Sequence, residues 1–220
     1  MKMFFSAAAA LGCITNLAWS QAFNVDFGGS LSNPPSSAYS AGSGQSGFWN
    51  AVGVQSTLRD TSGLLTSATF GANGGINISD IPGATGDDEL FMESSIEFGN
   101  SSEGCAIGHL KPGKYDLYLY SWNIDHLPPR TVFLSVLNGV TTVEGTMTTQ
   151  ATWPGMQVLG ETYARLRVEV ITGKEFLRIK TGNLVGDFDA ICGIQLVPVP
   201  TPSSVLPLLG ALLCTGRRRR

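Results

Sequence analysis

The segment Tyr163-Ala164-Arg165-Leu166-Arg167-Val168-Glu169-Val170 alternates apolar and charged side chains from Ala164 onward. Because successive side chains of a β-strand point to opposite faces, the alternation predicts a strand with one aliphatic, buried face and one charged, exposed face. A second alternating run, 176–180, follows after five residues that include Gly173. This spacing predicts that the two runs form a hairpin.

Working outward, the runs 131–137 and 140–143 are rich in β-branched residues and are separated by Asn138-Gly139. That dipeptide favours a type I′ hairpin turn, because both residues tolerate positive φ. The same reasoning predicts further strands at 22–27, 67–70, 76–81, 95–99, 115–122 and 190–197. Many short strands separated by glycine and proline turns, without alternating helices, predict an all-β antiparallel sandwich of the jelly-roll type.

Four strings in this part of the chain carry a resemblance to a known fold. They are Asn24-Val25-Asp26-Phe27-Gly28, Phe48-Trp49-Asn50, the run from Leu110 to Tyr120 with its Pro112-Gly113 turn, and the closing run from Ala190 to Leu196. Together they resemble the galactose-binding-like and malectin-like β-sandwiches of bacterial surface proteins. The resemblance implies a β-sandwich over roughly 23–198, and it leaves the ligand open.

The N-terminal segment 1–22 has the features of a secretory signal peptide. Lys2 precedes an apolar run, 3–17, and Ala18-Trp19-Ser20 has the small residues that signal peptidase accepts. The run is too short for a permanent membrane anchor. We expect export and cleavage after Ser20 or after Ala22, so that a β-sandwich domain, 23–197, remains.

The C-terminal tail begins with a proline-rich linker, 198–204, that contains Pro198, Pro200 and Pro202. An apolar stretch then leads to four arginines, so 205–220 is expected to be a transmembrane segment whose basic end stays in the cytoplasm. The arginines are Arg217, Arg218, Arg219 and Arg220. This order of parts resembles the PEP-CTERM sorting signal, which implies recognition by an exosortase-type enzyme and a place at the cell surface or in the extracellular matrix. The usual Pro-Glu-Pro motif lacks its glutamate here. A plain membrane anchor and a tail that binds anionic lipid are the alternatives.

Charge excludes one class of partner. Lys2 and the four terminal arginines account for five of the 14 Lys and Arg residues, which leaves nine against 17 acidic ones, a net charge near −8 for the domain between the signals. Nucleic-acid phosphates would repel such a domain, so no nucleic-acid binding is expected. That domain also keeps two of the four cysteines, Cys105 and Cys192, and an exported protein can oxidise such a pair. A disulfide is therefore predicted, with a buried, unpaired Cys192 as the alternative.

Candidate binding residues fall into two groups. Asp87, Asp88 and Glu89 are oxygen ligands in a glycine-containing loop, which suits Ca²⁺. Trp122 and Trp153, with Tyr120, offer flat faces on which sugar rings can stack, and the alternative is that such aromatics fill the core.

No complete catalytic set is visible. Gly42-Ser43-Gly44-Gln45-Ser46-Gly47 fits a dinucleotide motif but lies in a Gly/Ser-rich loop, without the flanking strand and helix. His109 and His126 lack the partners that a serine nucleophile needs. We therefore expect a non-catalytic surface or matrix protein that binds exopolysaccharide or other glycans. The alternatives are a secreted glycan hydrolase or lyase that uses paired carboxylates such as Asp187 and Asp189, and a purely structural envelope protein.

Overall fold

The computed structural model describes residues 21–29, 31–98, 104–122, 130–182 and 189–200, and these form fourteen β-strands and one short α-helix. The strands are β1 Phe23–Asp26, β2 Trp49–Ala51, β3 Gln55–Arg59, β4 Leu65–Ala72, β5 Gly75–Ile78, β6 Ser94–Phe98, β7 Cys105–Gly108, β8 Gly113–Tyr120, β9 Arg130–Leu137, β10 Thr142–Thr149, β11 Tyr163–Val170, β12 Phe176–Gly182, β13 Asp189–Ile191 and β14 Gly193–Pro198. The helix α1 spans Asp87–Met92, and Ala41–Ser43 forms a single 3₁₀ turn.

The strands form two main sheets and one small one. The five-stranded sheet has the order β11-β8-β14-β1-β2, the six-stranded sheet has the order β10-β9-β12-β7-β4-β3, and β13-β6-β5 form the third. Every pairing is antiparallel except β1 with β2. Alternate residues of both main sheets enter one hydrophobic cluster, for example Leu117 and Leu166 from one sheet and Leu134 and Ile179 from the other. The predicted antiparallel β-sandwich is therefore confirmed, and the jelly-roll connectivity stays a prediction.

The hairpin predicted between β11 and β12 is wrong. β11 pairs with β8 in the five-stranded sheet, whereas β12 pairs with β7 and β9 in the six-stranded sheet. Residues 171–175 thus carry the chain from one layer of the sandwich to the other. Both strands have the predicted alternation, because each places one face against the shared core.

The second predicted hairpin is confirmed, with a different turn. β9 pairs with β10 through Leu137 and Thr142, and Gly139 takes the positive φ, 85°. Asn138 instead uses its side chain, because its Oδ1 accepts hydrogen bonds from the backbone N–H groups of Val140 at 3.0 Å and Thr141 at 2.8 Å. An asparagine that bonds the backbone in this way closes a turn without adopting positive φ itself.

The strand predicted over 190–197 divides into two. β13 joins the small sheet through Ile191 and Ile96, while β14 lies between β8 and β1 in the five-stranded sheet. Cys192 is the residue between them, and its backbone still bonds the large sheet, since its N–H donates to the Tyr120 carbonyl at 2.8 Å. The chain therefore changes sheets within a single residue.

The five-stranded sheet is covered on both faces along β8, β14 and β1. Its inner face meets the six-stranded sheet, and a second hydrophobic cluster, the outer aromatic layer, packs on its outer face. The layer consists of Trp49, Ile81, Ala84, Phe91, Met92, Tyr118, Tyr120, Trp122, Trp153 and Cys192. This explains why β8 is buried continuously from Tyr115 to Tyr120. Among the described residues, no corresponding layer covers the outer face of the six-stranded sheet.

In the part of the chain that the structure describes, no helix has the length and apolar character that crossing a bilayer requires. The predicted signal peptide up to residue 20 and the predicted transmembrane segment, 205–220, lie outside the described residues, as does Pro202.

Candidate functional site

The aromatic residues predicted to stack on sugars are buried instead. Tyr120 is 0 % exposed, Trp122 4 % and Trp153 7 %. The two tryptophans contact each other edge to face, with ring centroids 5.4 Å apart, inside the outer aromatic layer. Their faces are filled by protein, because the layer uses large rings to cover the five-stranded sheet. The binding-surface prediction for these three residues is thus wrong, and the core-filling alternative is correct.

Tyr120 has a structural task that the sequence did not indicate. Its hydroxyl donates to Gln195 Oε1 at 2.5 Å and accepts from the Gly42 N–H at 3.0 Å. Gln195 in turn donates to Asn24 Oδ1 at 2.9 Å. A Cβ at Gly42 would lie 2.5 Å from the Tyr163 ring, so only glycine permits this close approach. The Gly42–Gly47 motif is therefore part of a loop fastened onto the sheet.

The three predicted calcium ligands form the first turn of α1. Asp87 accepts hydrogen bonds from the Ser36 N–H at 2.7 Å and from its hydroxyl at 2.6 Å. Asp88 Oδ1 accepts from the Tyr39 hydroxyl at 2.5 Å and from Gln157 Nε2 at 3.2 Å. Among the described residues no three His, Cys, Asp or Glu side chains are grouped as metal ligands. Both aspartates fasten neighbouring loops to α1, and the calcium site stays a prediction.

The predicted disulfide between Cys105 and Cys192 is wrong, because both cysteines are free. Cys105 lies in the core between the two main sheets, and Cys192 lies in the outer aromatic layer on the far side of the five-stranded sheet. Burial raises the pKa of each thiol to about 12. The two cysteines behave as small buried apolar residues, which was the alternative for Cys192.

Asp26 is the most unusual titratable group in the described residues. The side chain is 0 % exposed; Oδ1 accepts from the Ser94 hydroxyl at 3.3 Å, and Oδ2 has no partner among the described residues. Desolvation by burial raises the pKa of this carboxyl to about 8, opposed by hydrogen bonds from the Gly28 backbone and Ser94. With no path to solvent, Asp26 influences stability and is not available to a ligand.

The accessible site lies on the outer face of the six-stranded sheet. Two overlapping depressions of about 610 Å³ and 340 Å³ share Gln55, Gly71 and Ala106. We call their union the groove. Its further lining includes Ser56, Thr57, Thr69, Asn73, Gly108 and Arg178.

Strand register explains the shape of the groove. Gly71 of β4 pairs with Ala106 of β7, and Ala106 pairs with Arg178 of β12. On the other side, Gln55 of β3 pairs with Gly71. The short residues of β4 and β7 thus form the floor, and the longer side chains of β3 and β12 form the walls. Three inter-strand spacings separate the walls, about 14 Å between backbones.

A second depression of about 560 Å³ lies on the same outer face, between β10, β9 and β12. Phe133, Glu144 and Lys180 contribute to its lining, and Phe133 is 39 % exposed. An exposed aromatic ring on a sheet face is available for contact with a ligand, in contrast to the tryptophans.

The polar side chains that line the groove can form hydrogen bonds with a hydroxyl-rich molecule. Serine and threonine hydroxyls both donate and accept hydrogen bonds, and the amides of Gln55 and Asn73 do the same. No motif in the sequence marks these residues as ligand-binding. The available signal was the alternation itself, which places Gly71, Ala106 and Gly108 at outward positions, but no single strand shows that these positions lie side by side.

Of the residues considered for catalysis, only His109 has a described side chain. His109 directly follows β7, is exposed and has a φ of 55°. His126 and Asp187 lie outside the described residues, and Asp189 is described only as the first residue of β13. The hydrolase alternative therefore stays a prediction.

No protein-family model matches the chain, and no curated protein matches it. Solved structures to which it is similar include protein YxiM from Bacillus subtilis, at 14 % identity and a TM-score of 0.47, over 81 % of this chain and 40 % of that one. A second is the exo-β-1,3-galactanase of Phanerochaete chrysosporium with galactose, at 15 % identity and a TM-score of 0.33, over 63 % of this chain and 32 % of that one. A third is the structure of the xylanase 10B CBM22-GH10 modules of Clostridium thermocellum with xylohexaose, at 11 % identity and a TM-score of 0.34, over 60 % of this chain and 26 % of that one. The chain spans less than half the length of each. Similarities at this level carry no argument about ligand or activity.

Proposed function

We propose that this protein is a non-catalytic glycan-binding protein of the cell surface or extracellular matrix, and that it binds polysaccharide in the groove. The observation that carries the proposal is the open floor of Gly71, Ala106 and Gly108 between two walls of polar side chains. A sugar chain lying over a floor without long side chains can contact the backbone surface closely. The hydroxyl and amide groups of the walls can bond its hydroxyls at the same time.

We also propose that the sandwich is a jelly roll related to the galactose-binding-like and malectin-like domains. The support is where the resembling strings lie. Asn24-Val25-Asp26 lies on β1, the run from Leu110 to Tyr120 leads into β8, and the closing run supplies β14. These three strands are neighbours in the order β8-β14-β1, and Trp49 and Asn50 of the fourth string lie on β2 beside β1. All four strings therefore contribute to one sheet, although Ala190 and Ile191 belong to β13.

We further propose that the chain is exported, and that its tail is a sorting signal read by an exosortase-type enzyme. Hydrogen bonds at both ends of the described region indicate which cleavage sites would leave the folded domain intact. The Gln21 Oε1 accepts from the Lys111 N–H at 3.3 Å and the Ala22 carbonyl accepts from the Thr61 N–H at 3.0 Å, so cleavage after Ser20 preserves both bonds. Pro198 belongs to β14, and the Val199 N–H donates to the Lys114 carbonyl at 2.9 Å.

The mass of the mature protein tests the export proposal. We expect intact mass spectrometry of protein recovered from the envelope of its secreting host to show a chain that begins at Gln21 and lacks 205–220. Within the proline-rich linker, the cut should fall at or after Pro200, because a cut before Val199 would remove the hydrogen bond from the Val199 N–H to β8. A mature species that keeps Lys2, or one that keeps all four terminal arginines, contradicts the corresponding part of the proposal.

Filling the groove tests the glycan-binding proposal. A Cβ added at Gly71 has no heavy atom within 4 Å, so Gly71→Phe is expected to fold normally and to place its ring over the floor. We expect it to weaken binding on a polysaccharide panel by about 10-fold or more, the effect of losing about 1.4 kcal/mol of binding free energy. Affinity gel electrophoresis and calorimetry would measure the change.

Gly75→Phe is the matched control, because Gly75 also has no neighbour within 4 Å of an added Cβ but lies on β5 of the small sheet. It should bind like the unsubstituted protein. Equal loss of binding in both variants, or undiminished binding in Gly71→Phe, contradicts the placement of the site. Absence of binding to every glycan of the panel contradicts the proposed function.

A further inference from the structure

The groove is electrically asymmetric in an otherwise acidic domain. Arg178 is the single charged residue among those that line it, and no Asp or Glu lines either of its two depressions. The depression beside it is balanced, because its lining contains both Lys180 and Glu144. Of these two sites on the outer face of the six-stranded sheet, the groove is the one whose described lining has an uncompensated charge, and that charge is positive.

Arg178 is placed to act on a ligand. It lies on β12 directly opposite Ala106, whose methyl group is too short to cover it, and its side chain is exposed. Among the described residues it has no ion-pair partner and no side-chain hydrogen bond. In contrast, Arg165 and Arg167 of β11 both bond Asp116 on β8, the neighbouring strand of the five-stranded sheet. The guanidinium of Arg178 is thus free of the structural role that those arginines have.

We propose that the groove selects a carboxylated glycan, a polysaccharide containing uronic acid residues, and that Arg178 binds the carboxylate. This inference rests on the proposed glycan-binding function and specifies its ligand class. A guanidinium matches a carboxylate with two parallel N–H···O bonds, which are stronger than neutral hydrogen bonds. The amides and hydroxyls of Gln55, Thr57 and Thr69 across the floor then bond the hydroxyls of the same chain.

The test compares a carboxylated polymer with neutral polymers of related structure. Full-length protein purified in detergent would be titrated with polygalacturonate, with the same polymer after methyl esterification, and with a neutral galactan. We expect polygalacturonate to bind about 10-fold or more tightly than its ester, since hydrogen bonds to charged groups are worth more than neutral ones. The comparison belongs at about 0.15 M salt, where a Debye length of about 8 Å screens the repulsion between the polymer and the acidic domain more than it screens a direct contact with Arg178.

Two variants assign the effect to Arg178. Arg178→Gln should remove the preference for the acid over the ester, so that the two polymers bind with equal affinity. Arg178→Lys keeps the charge without the planar fork, so its preference should be intermediate. Thermal melting should be unchanged in both, because the described side chain makes no ion pair.

The outcomes separate this inference from the function on which it rests. Equal binding of acid and ester, sensitive to Gly71→Phe but not to Arg178→Gln, overturns the carboxylate inference and leaves the groove as a glycan site. A preference for the acid that persists in Arg178→Gln also overturns it. No binding of any polymer by the unsubstituted protein overturns both.

Discussion

Replacing Trp122 by alanine is expected to lower the free energy of unfolding by about 3–5 kcal/mol, the usual cost of removing a buried tryptophan. The indole is 4 % exposed and contacts Trp153 edge to face in the outer aromatic layer. The substitution removes that contact and leaves a cavity over β8 and β14, where the sheet depends on the layer to exclude water. Urea denaturation followed by circular dichroism would measure the change.

Phe133→Ala is the matched control, because Phe133 is an aromatic residue of the six-stranded sheet that is 39 % exposed. Its loss should change stability by less than about 1 kcal/mol, as surface substitutions usually do. The folded fraction of Trp122→Ala should bind glycan like the unsubstituted protein, because the indole does not line the groove. A Trp122→Ala protein of unchanged stability that has lost glycan binding would return this residue to the binding surface and contradict its place in the layer.

Asp26→Asn is expected to stabilise the protein at neutral and alkaline pH and to flatten its pH dependence. The pKa of Asp26 is raised from 3.8 to about 8 because burial penalises the carboxylate. Below pH 4 the carboxyl group is protonated in both the folded and the unfolded state, so its burial as a charged group does not lower the free energy of unfolding. As pH rises from about 4 to about 8, only the unfolded state releases the proton, and the free energy of unfolding falls.

The size of this effect follows from the width of that window. At about 1.36 kcal/mol per pH unit, the loss across it is on the order of 5 kcal/mol. The asparagine keeps the shape and an oxygen for the Ser94 hydroxyl but cannot ionise. The charge of Glu93 also raises the pKa of Asp26. The control is Glu169→Gln, which removes an exposed carboxylate instead of a buried one.

Denaturation midpoints between pH 4 and pH 9 would measure both variants. Asp26→Asn should match the unsubstituted protein near pH 4 and exceed it increasingly up to pH 8, while Glu169→Gln should follow the unsubstituted curve. If Asp26→Asn is less stable than the unsubstituted protein at pH 8, the carboxylate is compensated in the folded state and the explanation from burial is wrong.

Local patterns in the sequence predicted most of the strands because strand formation leaves a local trace. β11 begins and ends at the predicted residues, and β8, β9 and β12 differ from the predicted bounds by a few residues. Local sequence patterns did not predict the elements whose position depends on the rest of the fold. β7 and β3 lack long alternating runs, and α1 is too short to show helical periodicity.

Sequence patterns also did not predict which strands pair with each other. Alternation shows which face of a strand is buried, but both sheets of a sandwich bury a face against the same core. The connection between β11 and β12 therefore fits a hairpin and a crossing between layers equally well by sequence. Asn138-Gly139 was decisive for the other hairpin because a turn of that chemistry constrains the two strands that flank it.

By itself the sequence determined the all-β class, the faces of the principal strands and the acidic charge of the domain, since these depend on neighbouring residues or on composition. Tertiary structure alone decided that Trp122, Trp153 and Tyr120 lie under a covering layer, that the two cysteines lie on opposite faces of one sheet, and that Gly71, Ala106, Gly108 and Arg178 meet in a groove. The physical reason is register. Residues more than 100 positions apart become neighbours only through the hydrogen bonds between strands, and no pattern within one strand records which strand will lie beside it.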